Sequence, residues 1–289
     1  MIHILTVHWQ DDRWIKIQQD YFKRCLQEPY KMYAFVNKID KDYFGHFEVC
    51  LREPVELKNV SQSHGIKLNI LADIACSLGT DDDYLVFIDG DAFPVVDIMP
   101  DVKETLKKYP LMAVRRDESS GDKQPHPSFT VTTVGFWKKI NGDWKPGYKW
   151  KNNNNHIVTD TGGNFLKILE DQKIEWHPIL RTTKVNLHPL WFGIYGGLVY
   201  HHGAGFRSPL SREDIRLLAR DFPFMRMIQN LSNHEMRLIR IIGKTIKLFY
   251  LNKAGWEKAL NKVIENNKRI SAETLKKLET DVDFWKEFI

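Results

Sequence analysis

The sequence predicts an α/β fold, a mainly parallel sheet of the Rossmann-like kind flanked by helices. Three observations carry this. Strand-like and helix-like segments alternate through the first 115 residues, the pattern of strands joined by helical crossovers. The run Tyr84–Ile88 (YLVFI) is unbroken in its apolarity, the mark of a strand buried on both faces. The chain has 289 residues, 43% hydrophobic and 27% charged, a balance that supports a full core and excludes wholesale disorder. That length suits one large domain or two modest ones. The expected division is an α/β domain over residues 1–207 and a helical C-terminal extension over 208–289.

Taken in order, Ile2–Trp9 (IHILTVHW) is β-rich and opens the sheet. From Asp11 onward, Ile15, Ile17, Tyr21, Phe22 and Leu26 recur at helical spacing, with Asp11 or Asp12 as cap. Tyr30–Asn37 and Phe47–Leu51 read as short strands. Ser61 or Ser63 can cap a helix whose apolar positions run from Ile66 to Ala75 and which stops near Gly79. After the buried strand come a short helix over Val102–Lys108 and a strand over Leu111–Arg115. The middle of the chain, to about His202, mixes strands and loops and holds Trp137, Trp144, Trp150, Trp176 and Trp191. Aromatic faces stack on sugar rings and also make ordinary cores. Beyond Arg207 the pattern is mostly helical, with Asp221, Ser232 and Ser271 as candidate caps.

The net charge is +5, too small to demand a polyanionic partner, and no nucleic-acid role is expected. The excess is localised. Between Glu235 and Glu257 no acid occurs, whereas Arg237, Arg240, Lys244, Lys247 and Lys253 do. With an apolar face between the basic positions, 237–250 has the form of an amphipathic helix able to make a peripheral membrane contact. Cys25, Cys50 and Cys76 have no CxxC spacing, so no disulfide framework or zinc ribbon is expected. No apolar stretch reaches about 18 residues, and MIHILTVHWQDD lacks a basic start. The expected location is cytoplasmic, or the cytoplasmic face of a membrane.

The strongest chemical signal is YLVFIDGDAFPV, residues 84–95. Ligands of open α/β sheets bind beyond the carboxyl ends of strands, and Asp89-Gly90-Asp91 follows there at once. Two carboxylates one residue apart suit a hard divalent cation, and the cation suits a diphosphate. D-x-D occurs four times in the chain, also at Asp40/Asp42, Asp81/Asp83 and Asp281/Asp283. Only Asp89/Asp91 follows a long apolar run, where an unpaired carboxylate is costly.

The N-terminal strand, the capped helix, and the hydrophobic strand leading into DGD–Phe–Pro resemble the glycosyltransferases of the GT-A fold. The resemblance covers about residues 2–207 and is most specific at 61–95. It implies that Asp89 and Asp91 hold Mn²⁺ or Mg²⁺ against the diphosphate of a nucleotide-sugar, UDP-linked above all. GLVYHHGAGFR, residues 197–207, is similar to the segment on which several such enzymes carry a late metal-binding histidine and, six residues on, a diphosphate-binding cation. That implies His201 or His202 as third ligand and Arg207 as the diphosphate contact. Strand alternation puts the two imidazoles on opposite faces, so that one of them binds. Family 8 enzymes carry an Asn-Ser-Gly or Asn-Ala-Gly signature where this chain reads Phe129-Thr-Val-Thr-Thr-Val-Gly135. The family and the choice between retention and inversion therefore stay open.

The resemblance also implies that Thr6, Val7 and His8 seat the nucleotide base, a plain strand end being the alternative. Lys67 is either a phosphate contact near a helix N-terminus or an ordinary solvated helix residue. Asp160, in Asp160-Thr-Gly-Gly163, is either a general base for an acceptor hydroxyl or an N-cap. The function so implied is metal-dependent transfer of a sugar from a nucleotide-sugar to a glycan or lipid-linked glycan in surface polysaccharide synthesis. A sugar nucleotidyltransferase is an alternative, disfavoured because LTVHWQDDRW holds no glycine. A non-catalytic glycan or nucleotide binder is another.

Overall fold

The structure, a computed structural model, describes residues 1–39, 41–52, 59–118, 122–152, 157–183, 192–203, 223–252 and 255–288. The chain divides into two compact units. One comprises Met1–Val185, Gly193–His201 and Trp285–Ile289, the other Asn186–Phe192 and His202–Phe284.

The first unit is built on a seven-stranded sheet. Its strands are β1 (Ile2–Trp9), β2 (Tyr30–Asn37), β3 (Val49–Leu51), β4 (Tyr84–Asp89), and, after a short β5 (Ala92–Pro94), β6 (Leu111–Val114) and β7 (His126–Thr133). A two-stranded hairpin of β8 (Trp150–Lys151) and β9 (Ile157–Val158) precedes the last sheet strand, β10 (His177–Ile179). The spatial order is β10-β6-β7-β4-β1-β2-β3. Pairings β4–β1, β1–β2, β2–β3 and β10–β6 are parallel, while β7 runs antiparallel to both β4 and β6. The α/β class and the mainly parallel sheet expected from the sequence are the ones observed.

Side-chain alternation gives this sheet two cores. Ile2, Ile4, Val86 and Ile88 face one side, against Ile15 and Phe22 of α1 (Arg13–Cys25) and later Met99 and Val102 of α3 (Met99–Leu106). Leu5, Leu85 and Phe87 face the other side. They meet Leu68, Leu71 and Ala75 of α2 (Val60–Leu78), Trp137 of α4 (Val134–Ile140) and Phe165 of α5 (Gly163–Asp171). Leu85 to Ile88 are each fully buried, as a strand covered by helices on both faces must be. Trp137 and Trp144 belong to the second core. Trp144 lies 5.0 Å from Phe87 and 5.1 Å from Phe165, ring centre to ring centre. These tryptophans are packing residues, and Trp191 lies outside the described residues.

Several local expectations need correction. The cap of α2 is neither Ser61 nor Ser63 but Asn59, whose side chain accepts from the Gln62 amide at 3.0 Å. Lys67 is therefore two turns inside the helix, and it is buried, with its ammonium donating to Ser63 Oγ at 2.7 Å. It is not a solvated residue at a helix N-terminus. Asp160 is not the cap of α5, which is Gly162 at φ 87°, a left-handed position that suits glycine. The strand expected over Phe47–Leu51 is the shorter β3.

A small second sheet, β11 (Gly193–Tyr195), β12 (Val199–His201) and β5, is antiparallel throughout. It belongs to the same unit and carries His201 to the site.

The other unit contains the helices α6 (Pro223–Ser232), α7 (Arg237–Asn252) and α8 (Gly255–Thr280). A Cβ on Gly243 would stand 2.4 Å from the backbone of Leu231 and Ser232, so the absence of a side chain there lets α6 and α7 approach closely. Ser232 ends α6, its hydroxyl donating to Ile228 O at 2.7 Å. Ser271 lies within α8. Neither caps the next helix. Asp221 lies outside the described residues.

Candidate functional site

Asp89 is the last residue of β4, and its register partner on the neighbouring parallel strand β1 is Val7. The site therefore opens where the carboxyl ends of the two central parallel strands lie side by side, the place α/β sheets reserve for ligands. Gly90 is needed there for a reason of space. A Cβ on it would lie 2.6 Å from Val7 O and 2.8 Å from His8 Nδ1. The chain then turns into β5, which pairs with β12 so that Ala92 lies opposite His201. That pairing puts the imidazole beside both carboxylates.

His201 Nε2 is 3.5 Å from Asp89 Oδ2 and 3.5 Å from Asp91 Oδ1. One donor atom from each of the three residues lies within 4.8 Å of the others, and among the described residues this is the one such group of metal-ligating side chains. The side chains are 15% (Asp89), 30% (Asp91) and 8% (His201) exposed. Asp89 Oδ1 is buried without a hydrogen bond and faces His64 Nε2 at 3.4 Å. Burial pushes the Asp89 carboxyl up to about 7, Asp91 and Asp160 adding to the rise and His201 and Arg116 opposing it. A carboxylate this poorly compensated, with an orphaned oxygen, fits a cation that would ligate it. Two carboxylates and one imidazole are a donor set for a divalent ion of the magnesium–manganese kind. His202 is buried and follows β12 directly, outside the three-residue group.

Asp160 is half-buried. Its Oδ1 accepts from Ser61 Oγ at 2.7 Å and from the Thr161 amide at 2.8 Å. Thr161 Oγ1 in turn donates to Ser61 O at 3.2 Å. These bonds tie the loop before α5 to the first turn of α2. Asp160 is close enough to help raise Asp89 and to favour protonation of His64. Lys67 acts on His64 in the opposite sense. Thr6, Val7 and His8 sit at the end of β1. The Thr6 hydroxyl and both ring nitrogens of His8 are buried with no hydrogen bond. Burial holds the His8 ring down at about 4, against the opposing pull of Gln18 beside it. Arg207 lies outside the described residues.

Sequence reading did not single out three further groups. His64, on α2 one turn before Lys67, is lowered to about 4, chiefly by burial. His126 opens β7 and its ring centre is 5.9 Å from that of His201. Its Nδ1 accepts from Ser128 N at 3.0 Å, and burial with the positive charge of Arg116 drives its pKa well down. Arg116 donates to Asp122 at 2.8 Å. Burial opposes its charge, but the acidic neighbours Asp122 and Asp160 outweigh that and raise it. The one available signal was the presence of titratable residues in SQSHGIK for His64 and in RRDESSGD for Arg116, with none for His126. Neither stretch has a spacing that says where its side chains meet.

No protein-family model and no curated protein matches the chain. Among solved structures it is similar to a 1–349 fragment of S. aureus TarS, at 7% identity and TM-score 0.41, over 82% of this chain and 66% of that one. It is similar to the glycosyltransferase GlyE of Streptococcus pneumoniae TIGR4, at 13% identity and TM-score 0.38, over 61% of this chain and 44% of that one. A third is the galactosyltransferase LgtC in complex with donor and acceptor sugar analogs, at 9% identity and TM-score 0.35, over 62% of this chain and 73% of that one. The chain thus spans about two thirds of the TarS fragment and less than half of GlyE.

Proposed function

We propose that residues 1–207 form a metal-dependent glycosyltransferase that moves a sugar from a nucleotide-sugar, UDP-linked, to a hydroxyl of a glycan or lipid-linked glycan, with 208–289 as a helical extension. The observation that carries the reading is the convergence of Asp89, Asp91 and His201 at the carboxyl end of the central strands, with an uncompensated Asp89 oxygen. These three residues would hold Mn²⁺ or Mg²⁺. When bound, the ion offsets the negative charge that gathers on a departing nucleoside diphosphate.

The rest is done by the chain. Thr6, Val7 and His8 offer a strand end with unsatisfied buried polar atoms for the base. Lys67 and Arg207 supply positive charge for the phosphates, Lys67 from within α2. Asp160 takes the proton of the acceptor hydroxyl. Its Oδ1 is already engaged by Ser61 and Thr161, so Oδ2 is the atom that receives it.

The test is thermal unfolding of the purified chain with UDP, with and without Mn²⁺, followed by UDP release from a panel of UDP-sugars. Stabilisation that needs both ligands, and release abolished by EDTA and restored by Mn²⁺, is the expected result. UDP stabilisation indifferent to EDTA would overturn the metal reading. Absence of any nucleotide effect would overturn the donor reading.

A further inference from the structure

Four basic residues of α7 lie three, four and three positions apart, at Arg237, Arg240, Lys244 and Lys247, and so share one stripe of the helix. Beside it runs an apolar stripe. Leu238 is 67% exposed, Ile241 51%, Ile242 49% and Leu248 65%. Side chains of this size in an amphipathic helix ordinarily pack into a core, and these do not. The packed side of α7 is elsewhere, at Gly243, where α6 comes so close that no Cβ fits. Contiguous exposed apolar surface on a soluble unit marks a site of interaction.

We propose that this face of α7 docks on an anionic phospholipid bilayer. The pairing of the two stripes selects the occupant. An apolar strip bordered by basic residues, with no acid from 236 to 256, matches acyl chains bordered by phosphate headgroups. A second copy of the chain, docked face to face about a two-fold axis, would bring two such basic stripes together, and like charges so placed repel. The helix lies in the plane of the surface, since no described helix is long and apolar enough to cross a membrane. Its 16 residues give a contact about 24 Å long. The inference is independent of the catalytic reading.

Co-sedimentation of the full chain with vesicles of phosphatidylcholine, with and without phosphatidylglycerol, tests it. Binding is expected with phosphatidylglycerol alone, and it should fall as salt shortens the Debye length from about 30 Å at 0.01 M to about 3 Å at 1 M. The variant R237Q/R240Q/K244Q/K247Q loses about fivefold in partitioning per residue, several hundredfold altogether. The variant L238S/I241S/L248S loses at least about tenfold. Both keep the wild-type circular dichroism, because the changed side chains are exposed or, at Lys247, half-exposed. Failure of the wild type to bind at low salt overturns the proposal, as does equal binding to both vesicles or unchanged binding by the glutamine variant. Concentration-dependent dimerisation in light scattering, lost in the serine variant, would assign the face to a second copy instead.

Discussion

His201 Nε2 and Asp91 Oδ1 stand 3.5 Å apart, although 110 positions separate them in the sequence. The contact exists because β5, the three residues after the acidic pair, is the antiparallel partner of β12. Metal binding is therefore expected to depend on both residues alike. His201→Ala and Asp91→Asn should each weaken Mn²⁺ binding by about 100-fold or more, whereas His202→Ala, outside the group, should change it little. Calorimetric titration of the nucleotide-free protein measures this. A larger loss from His202→Ala would place the third ligand one residue later.

Gly90→Ala places a methyl group 2.6 Å from Val7 O. The clash is with backbone, so the two central strands or the acidic pair must shift. We expect a loss of about 2–3 kcal/mol in stability by urea unfolding, together with weakened metal binding. Wild-type values for both would mean that the turn after β4 has room the structure does not show.

Ser61→Ala removes a hydrogen bond of 2.7 Å to the Asp160 carboxylate. A bond to a charged group contributes about 1.5–3 kcal/mol, and the half-exposed setting puts the loss at the lower end. Turnover should fall about tenfold with donor KM unchanged if the bond orients a base. Asp160→Asn should lower kcat by about 100-fold or more at unchanged donor KM. Loss of stability without loss of kcat in both variants would leave Asp160 as a structural tie only.

The pH dependence of the metal-free protein follows from four groups that partial or full burial shifts. His8 and His64 are lowered to about 4 and His126 well below its ordinary 6.5. The unfolded chain therefore protonates these rings below about pH 6.5 while the folded chain keeps them neutral, and stability falls as pH drops from 6.5 towards 4. Asp89, raised to about 7, works the other way, since the folded chain holds its proton where the unfolded chain has lost it. Three rings gain protons on unfolding where Asp89 loses one, so the balance is proton uptake and stability rises with pH across this window. Urea unfolding at pH 4.5, 5.5 and 6.5 gives the slope. Asp89→Asn should steepen it and stabilise the metal-free protein at pH 7 and above.

The sequence by itself determined the elements that run on local pattern. The unbroken apolarity of Tyr84–Ile88 gave β4 and its double burial, Ile2–Trp9 gave β1, and Asp89-Gly90-Asp91 marked the site at the strand's carboxyl end. Each of these rests on near neighbours in the chain, and periodicity reports them directly. The helix caps were misplaced because serine, asparagine and aspartate compete for the same role, and the choice depends on where the backbone turns. Only the tertiary structure decided which remote groups meet. It put His201 opposite Ala92 through a strand pairing that hydrophobic pattern does not encode. It joined Asp160 to Ser61 across 99 positions, and set His64 beside Asp89 and His126 beside His201. It also showed that the apolar stripe of α7 stays exposed, since amphipathicity fixes that a helix has an apolar face but not what covers it.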